Sequence, residues 1–455
     1  MAELNRDGTR HTSLEGLARF LLRAESVASA KIAGLHAGPR RLIEAEAVLA
    51  KGGDTSDYVA AEVIGNIAAM EECWPCSPRS SECSPVPVVT RQSRRLFGQC
   101  PTSTEGRDPA DTPVSSKHMV DAMTDRMRFG MFVPQGWRLD LVDIDPAKQW
   151  ETMLGAARRA ETGPWESIWV YDHFHTTPTP TDEATHEAWT LMAAFAASTE
   201  RIRLGQMCTC MGYRNPAYLA KIAATTDVVS GGRVEMGIGA GWYEHEWRAY
   251  GYGFPRAGER LAMLDEGMQI MRQLWSTGRA SLDGEHYQVD GAICRPLPLQ
   301  DGGIPLWIAG GGEKKTLRIA AMYAQYTNFA GGDLEQFQRK SEILAQHCKD
   351  VGTEFDAIIR TSNHNVLIGD TEADVRDQLA WVADRYRRFM PEEEVQRNLK
   401  PYHESAAVGT PEQIVEAFTQ LRRAGMTYAI CYFPQAAYDR STIELFEKRV
   451  IPALT

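Results

Sequence analysis

The side chains in this sequence that could do chemistry cluster in short polar or glycine-rich runs, each placed directly after an apolar stretch. Asp172 and His173 follow Ser167-Ile168-Trp169-Val170-Tyr171. An imidazole exchanges protons near neutral pH, so His173 with Asp172 beside it could serve proton transfer where a buried strand opens to solvent. The same two residues could equally cap a loop. Gly310, Gly311 and Gly312 follow Leu306–Ala309 and precede Glu313-Lys314-Lys315-Thr316-Leu317. A strand, a loop without side chains and a helix start let backbone N–H groups hold a phosphate, unless the glycines only make a tight turn. In Gly237-Ile238-Gly239-Ala240-Gly241-Trp242 the missing side chains would let a planar ring lie against the backbone with Trp242 as one wall. A simple strand-to-loop bend would read the same way. Neither run fits G-x-x-x-x-G-K-[ST] or G-x-G-x-x-G, so no nucleotide loop or dinucleotide fingerprint follows.

Metal chemistry has weaker support. His173-x-His175 has the spacing of two ligands in an amidohydrolase-type barrel, a remote alternative. The other histidines of that region, His186, His245, His286, His347, His364 and His403, fall mainly in helices or insertions and supply no third and fourth ligand. Cys73 and Cys76 form a C-x-x-C pair, but Cys83 and Cys100 do not form a second one.

The elements that must carry these residues alternate regularly. Apolar runs rich in β-branched and aromatic residues predict strands at Arg128–Val133, Ser167–Tyr171, Ile202–Met207, Val234–Ile238, Leu306–Ala309, Tyr326–Phe329, Ile358–Leu367 and Tyr428–Tyr432. Helical periodicity predicts helices at Pro146–Thr162, His186–Ser198, Pro216–Val229, Arg256–Ser276, Lys314–Tyr323, Leu334–Val351, Glu372–Arg387 and Pro411–Ala424. Asn215-Pro216 and Thr410-Pro411 put a capping residue before a first-turn proline, Thr410 with Gln413 forms a capping box, and Gly231 and Gly425 end their helices. Eight strand–helix units specify an α/β fold, a (β/α)8 TIM barrel, whose active site lies where the strands end. Insertions are expected at Gly241–Pro255, Gly278–Pro305 and Pro391–Val408.

Residues 1–126 form a separate extension, with helices expected at Ser13–Ala28, Gly34–Leu49 and Asp57–Met70, then a disordered Ser/Pro-rich linker. The barrel domain spans 127–455. With 455 residues, 43% hydrophobic and 24% charged, the chain has the balance of a globular protein, and its net charge of −11 argues against nucleic acid as a partner. The absence of a long apolar run or a signal-like N-terminus predicts a cytoplasmic protein without membrane attachment, and the odd count of nine cysteines predicts reduced thiols.

Taken together, MRFGMFVPQGW, ESIWVYDHFH, the long block from IRLGQMCTCMGYRNPAYLAKIAATTDVVSGGR through VEMGIGAGWYEHEWRAYG, IPLWIAGGGEKKTLRIAA and GTPEQIVEAFTQLRRAGMTYAICYF resemble the luciferase-like monooxygenase superfamily. The similarity runs from about Met127 to Thr455 and is strongest to its deazaflavin (coenzyme F-420)-dependent oxidoreductases. It implies a ring cofactor across the strand ends, resting on a bulge after strand three, with its phosphate near the strand-five glycines. On matched positions Asp172, His173, Met207, Cys208 and Thr209 would touch the ring, Asn215 would belong to the Arg-Asn-Pro motif, and Gly239, Ala240, Gly241 and Trp242 to the glycine motif. Gly310, Gly311 and Gly312 would form the phosphate loop, with His173 and Asp172 as the catalytic pair.

One departure concerns the substrate. The glutamate and tryptophan of sugar-phosphate dehydrogenases in this superfamily find Ala240 and Thr177 at their matched places, which puts that substrate in doubt. The expected activity is hydride transfer between F-420 and a small organic molecule. The alternative is a monooxygenase of the alkanesulfonate monooxygenase or luciferase type, using reduced FMN from a separate reductase. The resemblance also implies a homodimer through the helices that cover strands two to four.

Overall fold

A computed structural model describes residues 126–329 and 333–455, together with Ala45 and Val48. The chain divides into two compact units, Met1–Pro109 and Ala110–Thr455. Of the first, Ala45 and Val48 have helical backbone, inside the helix expected over residues 34–49. The other helices expected there, the linker and Cys73, Cys76, Cys83 and Cys100 lie outside the described residues.

The second unit is a closed parallel barrel. Its strands are β1 (Arg128–Phe132), β2 (Ser167–Val170), β3 (Arg203–Gln206), its short continuation β4 (Thr209–Cys210), β5 (Val234–Gly239), β8 (Leu306–Ala309), β9 (Tyr326–Asn328), β10 (Ile359–Asn365) and β13 (Met426–Tyr432). Neighbours pair in the order β3-β2-β1-β13-β10-β9-β8-β5-β4, and Leu204 opposite Val234 joins β3 to β5 and closes the ring. All eight expected strands are present, and β8 has the predicted bounds.

Helices return the chain between strands, α1 (Pro146–Thr162), α2 (Ala188–Ser198), α3 (Pro216–Ser230), α4 (Glu244–Ala249), α5 (Ala257–Thr277), α6 (Thr316–Tyr323), α7 (Leu334–Val351), α8 (Glu372–Arg387), α9 (Glu392–His403) and α10 (Pro411–Arg423), and α11 (Ser441–Arg449) and α12 (Ile451–Leu454) follow the last strand. Local chemistry sets their ends. The Asn215 side chain accepts from the N–H groups of Ala217 and Tyr218 at the start of α3, and Gly231 ends it at φ 70°. Thr410 and Gln413 cap α10 reciprocally. The expected insertions hold α4, an antiparallel hairpin of β6 (Arg279–Asp283) and β7 (Gln288–Ile293), and α9, whereas β11 (Leu367–Ile368) and β12 (Val408–Gly409) pair beside the barrel.

Side chains fill the barrel. Trp169, Trp307, Tyr428 and Ile430 are buried in one cluster, with the Trp307 ring stacked 4.1 Å from Tyr326. Trp169 leaves no room for neighbours: a Cβ on Gly205 would lie 2.3 Å from its ring and one on Gly130 2.4 Å from its Nε1. Those two glycines exist for the indole. Between barrel and helices lies the larger core, with Phe129, Trp165, Phe195, Ile238, Leu264 and Phe446 among its buried members. Among the described residues no helix is long and apolar enough to cross a membrane.

Candidate functional site

The strand ends surround a cavity of about 420 Å³. His173 lines it, and its position is set by a residue the sequence reading missed. His173 Nδ1 lies 2.8 Å from Glu246 Oε2, and the ring stacks on Trp137 at 4.2 Å between centroids and 2° between planes. Glu246 sits on α4 and is fully buried. Its Oε1 accepts the backbone N–H groups of Phe174 and His175 at 2.8 and 2.9 Å, and Tyr213 Oη donates to Oε2 at 3.0 Å. Burial alone would favour the neutral acid, but these donors, His173 first, hold its pKa below the ordinary carboxylate value. An ionised carboxylate only accepts, so Nδ1 carries the proton and Nε2 is left as the ring nitrogen that can take or give one.

Asp172, also on the lining, is engaged differently. Arg214 donates to both its oxygens at 2.7 and 2.9 Å, and the N–H of Cys210 donates at 2.9 Å. This buried pair ties the end of β2 to β4. Arg214 also reaches Glu187 at 2.8 Å. Although burial works against the charge, Asp172 and Glu187 keep the guanidinium pKa above its usual value.

The floor is where β3 breaks. Met207 and Cys208, joined by a cis peptide bond, separate β3 from β4 and both line the cavity. Burial, then the charge of Asp172, push the Cys208 thiol to about 12, so the floor is uncharged. Thr209 is buried and donates to Gln206 Oε1 at 2.7 Å instead of lining the cavity. Asn215 serves as the cap of α3 and is likewise off the lining.

Gly239, Ala240, Gly241 and Trp242 form one wall. Close approach explains the glycines: a Cβ on Gly237 would lie 1.9 Å from the carbonyl oxygen of Gln206, and one on Gly239 2.9 Å from Cys208 Sγ. Arg260, from α5, lines the same side, donates to the Gly241 carbonyl at 3.1 Å and stacks over Phe254.

At the other end Gly310, at φ 118°, and Thr316 line the cavity, whereas Gly311 and Gly312 are off the lining. A Cβ on Gly311 would meet Lys340 Nζ at 2.6 Å. The start of α6 has no side-chain cap; the Leu317 N–H is taken by the Gly312 carbonyl at 3.1 Å, and the helix dipole with the Lys340 ammonium offers an anion a positive end. Burial lowers the Lys340 pKa. Asn328 and Asn363, hydrogen-bonded at 3.0 Å, complete the rim.

Among the described residues no group of three or more His, Cys, Asp or Glu could hold a metal ion. His175, one of the two spacing-matched histidines, faces His245 with 3.0 Å between their Nδ1 atoms. A ring-and-phosphate cofactor does fit. The uncharged floor and the glycines of the wall leave room for a flat ring, and the uncapped helix start beside Lys340 suits a phosphate.

Residues 127–428 match the family described as luciferase-like monooxygenase. The chain is 28% identical over 331 residues to the F420-dependent glucose-6-phosphate dehydrogenase of Nocardia farcinica, spanning 66% of this chain and 93% of that protein. It is 36% identical over 148 residues to the pyrimidine monooxygenase RutA of Stutzerimonas stutzeri, 32% of this chain and 40% of that one. A solved F420-dependent secondary alcohol dehydrogenase, in complex with an F420–acetone adduct, shares the fold. Its TM-score is 0.60 at 21% identity, over 72% of this chain and 99% of its own.

Proposed function

The chain belongs to the luciferase-like monooxygenase family, and on that premise we propose that it is an oxidoreductase moving a hydride between coenzyme F-420 and a small organic substrate. The observation that carries this reading is the cavity itself, where His173, held by Glu246, shares the lining with the uncharged floor of Met207 and Cys208 and the glycines Gly239 and Gly241. The relation to F420-dependent dehydrogenases, one of them aligned over nearly its whole length, supports the choice of cofactor.

Met207, Cys208 and Gly239–Gly241 would hold the ring, and Gly310, Thr316 and Lys340 the phosphate. A deazaflavin bound there supplies the hydride acceptor or donor. The protein supplies position and a proton route. Trp137 and Glu246 fix the imidazole plane, and His173 Nε2 takes the proton of a substrate hydroxyl or returns it to a carbonyl oxygen.

Reduced FMN from a separate reductase is the competing cofactor. Trp137 and Trp242 line the cavity, so titration of tryptophan fluorescence with F-420 and FMN in parallel separates the two. Saturable quenching by F-420 is expected; quenching by FMN alone would replace the deazaflavin, and no response to either would remove the flavin reading. A cytoplasmic location and a homodimer belong to the same proposal. The dimer is supported by Tyr218 and Val229 of α3, which are 62% and 49% exposed.

A further inference from the structure

Beside the ring cavity lies a second one, of about 400 Å³ and more polar, and Trp137, Tyr171 and Asn363 line both. Its main charged group is Arg138. The guanidinium lies 4.0 Å from the Tyr432 ring centroid, and its Nη1 donates to Asn365 Oδ1 at 2.7 Å. Tyr402 Oη lies 3.5 Å from Nη2, and the Tyr171 hydroxyl is a further hydrogen-bonding neighbour. None of these carries a negative charge, and among the described residues Arg138 makes no ion pair.

The carboxylates nearby make no direct pair with it, although Asp140 attracts it from a distance. Asp140 turns its Oδ1 to the backbone N–H groups of Gly136 and Gln135, at 2.6 and 3.3 Å. Burial raises its pKa in spite of those bonds and of the attraction of Arg138. Glu404, on the rim of the cavity, is paired with Lys400 at 3.3 Å. A guanidinium held among tyrosine rings with no acid in direct contact gains from an anion that joins it, and its planar fork matches a carboxylate best.

We propose that Arg138 anchors the carboxylate of the substrate, and that the substrate class is a small organic acid with an apolar or aromatic body. The proposal rests on the reading of the first cavity as the redox site. The body would lie along Trp137, which stacks on His173 at 4.2 Å and packs against Tyr171 at 4.1 Å. Continuous lining thus joins the proton-transferring imidazole to the anchoring guanidinium. Asn363 stands where the two cavities meet.

The test is binding of benzoate to the full chain by calorimetry, with benzyl alcohol as the neutral analogue and benzenesulfonate as the other oxyanion. Benzoate is expected to bind and to lose at least about tenfold in affinity in Arg138→Met, less in Arg138→Lys, with benzyl alcohol little changed. Benzoate should also protect Arg138 of the unaltered protein from phenylglyoxal, read by mass spectrometry, which does not depend on a variant folding. No binding of benzoate, equal binding by Arg138→Met, or no protection overturns the anchor. Tighter binding of benzenesulfonate overturns the carboxylate. F-420 titration of the same samples keeps the two readings apart: Arg138-dependent benzoate binding without F-420 binding leaves the anchor standing and removes the cofactor.

Discussion

His173 and Glu246, 73 positions apart in the chain, meet at 2.8 Å across the mouth of the barrel. The imidazole comes from the end of β2 and the carboxylate from an inserted helix, so neither residue's role is complete without the other.

Removing the imidazole, as in His173→Asn, should lower kcat by about 10²–10⁴-fold with F-420. Glu246→Gln, which keeps the shape and loses the charge, should cost about 10–100-fold. If the carboxylate acts through the ring, the double variant is no slower than His173→Asn alone, whereas multiplying effects in steady-state kinetics would refute the coupling.

The buried pair of Asp172 and Arg214 predicts a stability effect. The side chain of Asp172 is wholly inaccessible and that of Arg214 is 12% exposed. Asp172→Ala leaves a buried guanidinium with Glu187 as its remaining acid and an unpaired N–H at Cys210. A loss of about 3–5 kcal/mol in urea unfolding is expected.

His364 predicts a pH dependence. It is buried beside Ser362 Oγ at 2.7 Å, and burial pushes its pKa down to about 4. Below the unfolded value of about 6.5 the unfolded chain takes up a proton that the folded one refuses. Stability is therefore present above that value and is lost as pH falls towards 4, by about 3 kcal/mol. In His364→Gln the fall in Tm between pH 7 and pH 4 should be smaller; an unchanged fall would exclude this origin.

Gly237 predicts intolerance of a single methyl group. Its Cβ would stand 1.9 Å from a backbone oxygen of β3, which cannot move without disturbing barrel closure. Gly237→Ala should destabilise by about 1–3 kcal/mol in thermal unfolding.

The exposed edge of α3 predicts association. The protein should sediment as a dimer and Val229→Glu should shift it towards monomer. A monomeric unaltered protein would contradict the homodimer.

Much of this was legible in the sequence because the information is local. The strand β8 and the caps at Asn215 and Thr410 are written in runs of a few residues. The cavity residues Asp172, His173, Cys208, Gly239 and Gly310 were recognisable because the barrel puts whatever follows a strand on one face. Glu246 and Arg260 escaped notice because they lie on helices after β5, where no period links them to the strand ends. Trp137 did too, since its role depends on a ring 36 residues away. Asn215 shows the opposite limit: one motif position served both as a helix cap and as a candidate contact, and the structure displays the cap.

The indole of Trp169, fitted into the space left by Gly130 and Gly205, stops the barrel like a cork. The site above it lies on the side of the loops and inserted helices, since the indole and its neighbours fill the interior below. A cofactor and a reactant that both come in from that side would meet at the same strand ends, so the order of their arrival would matter to turnover as much as the chemistry.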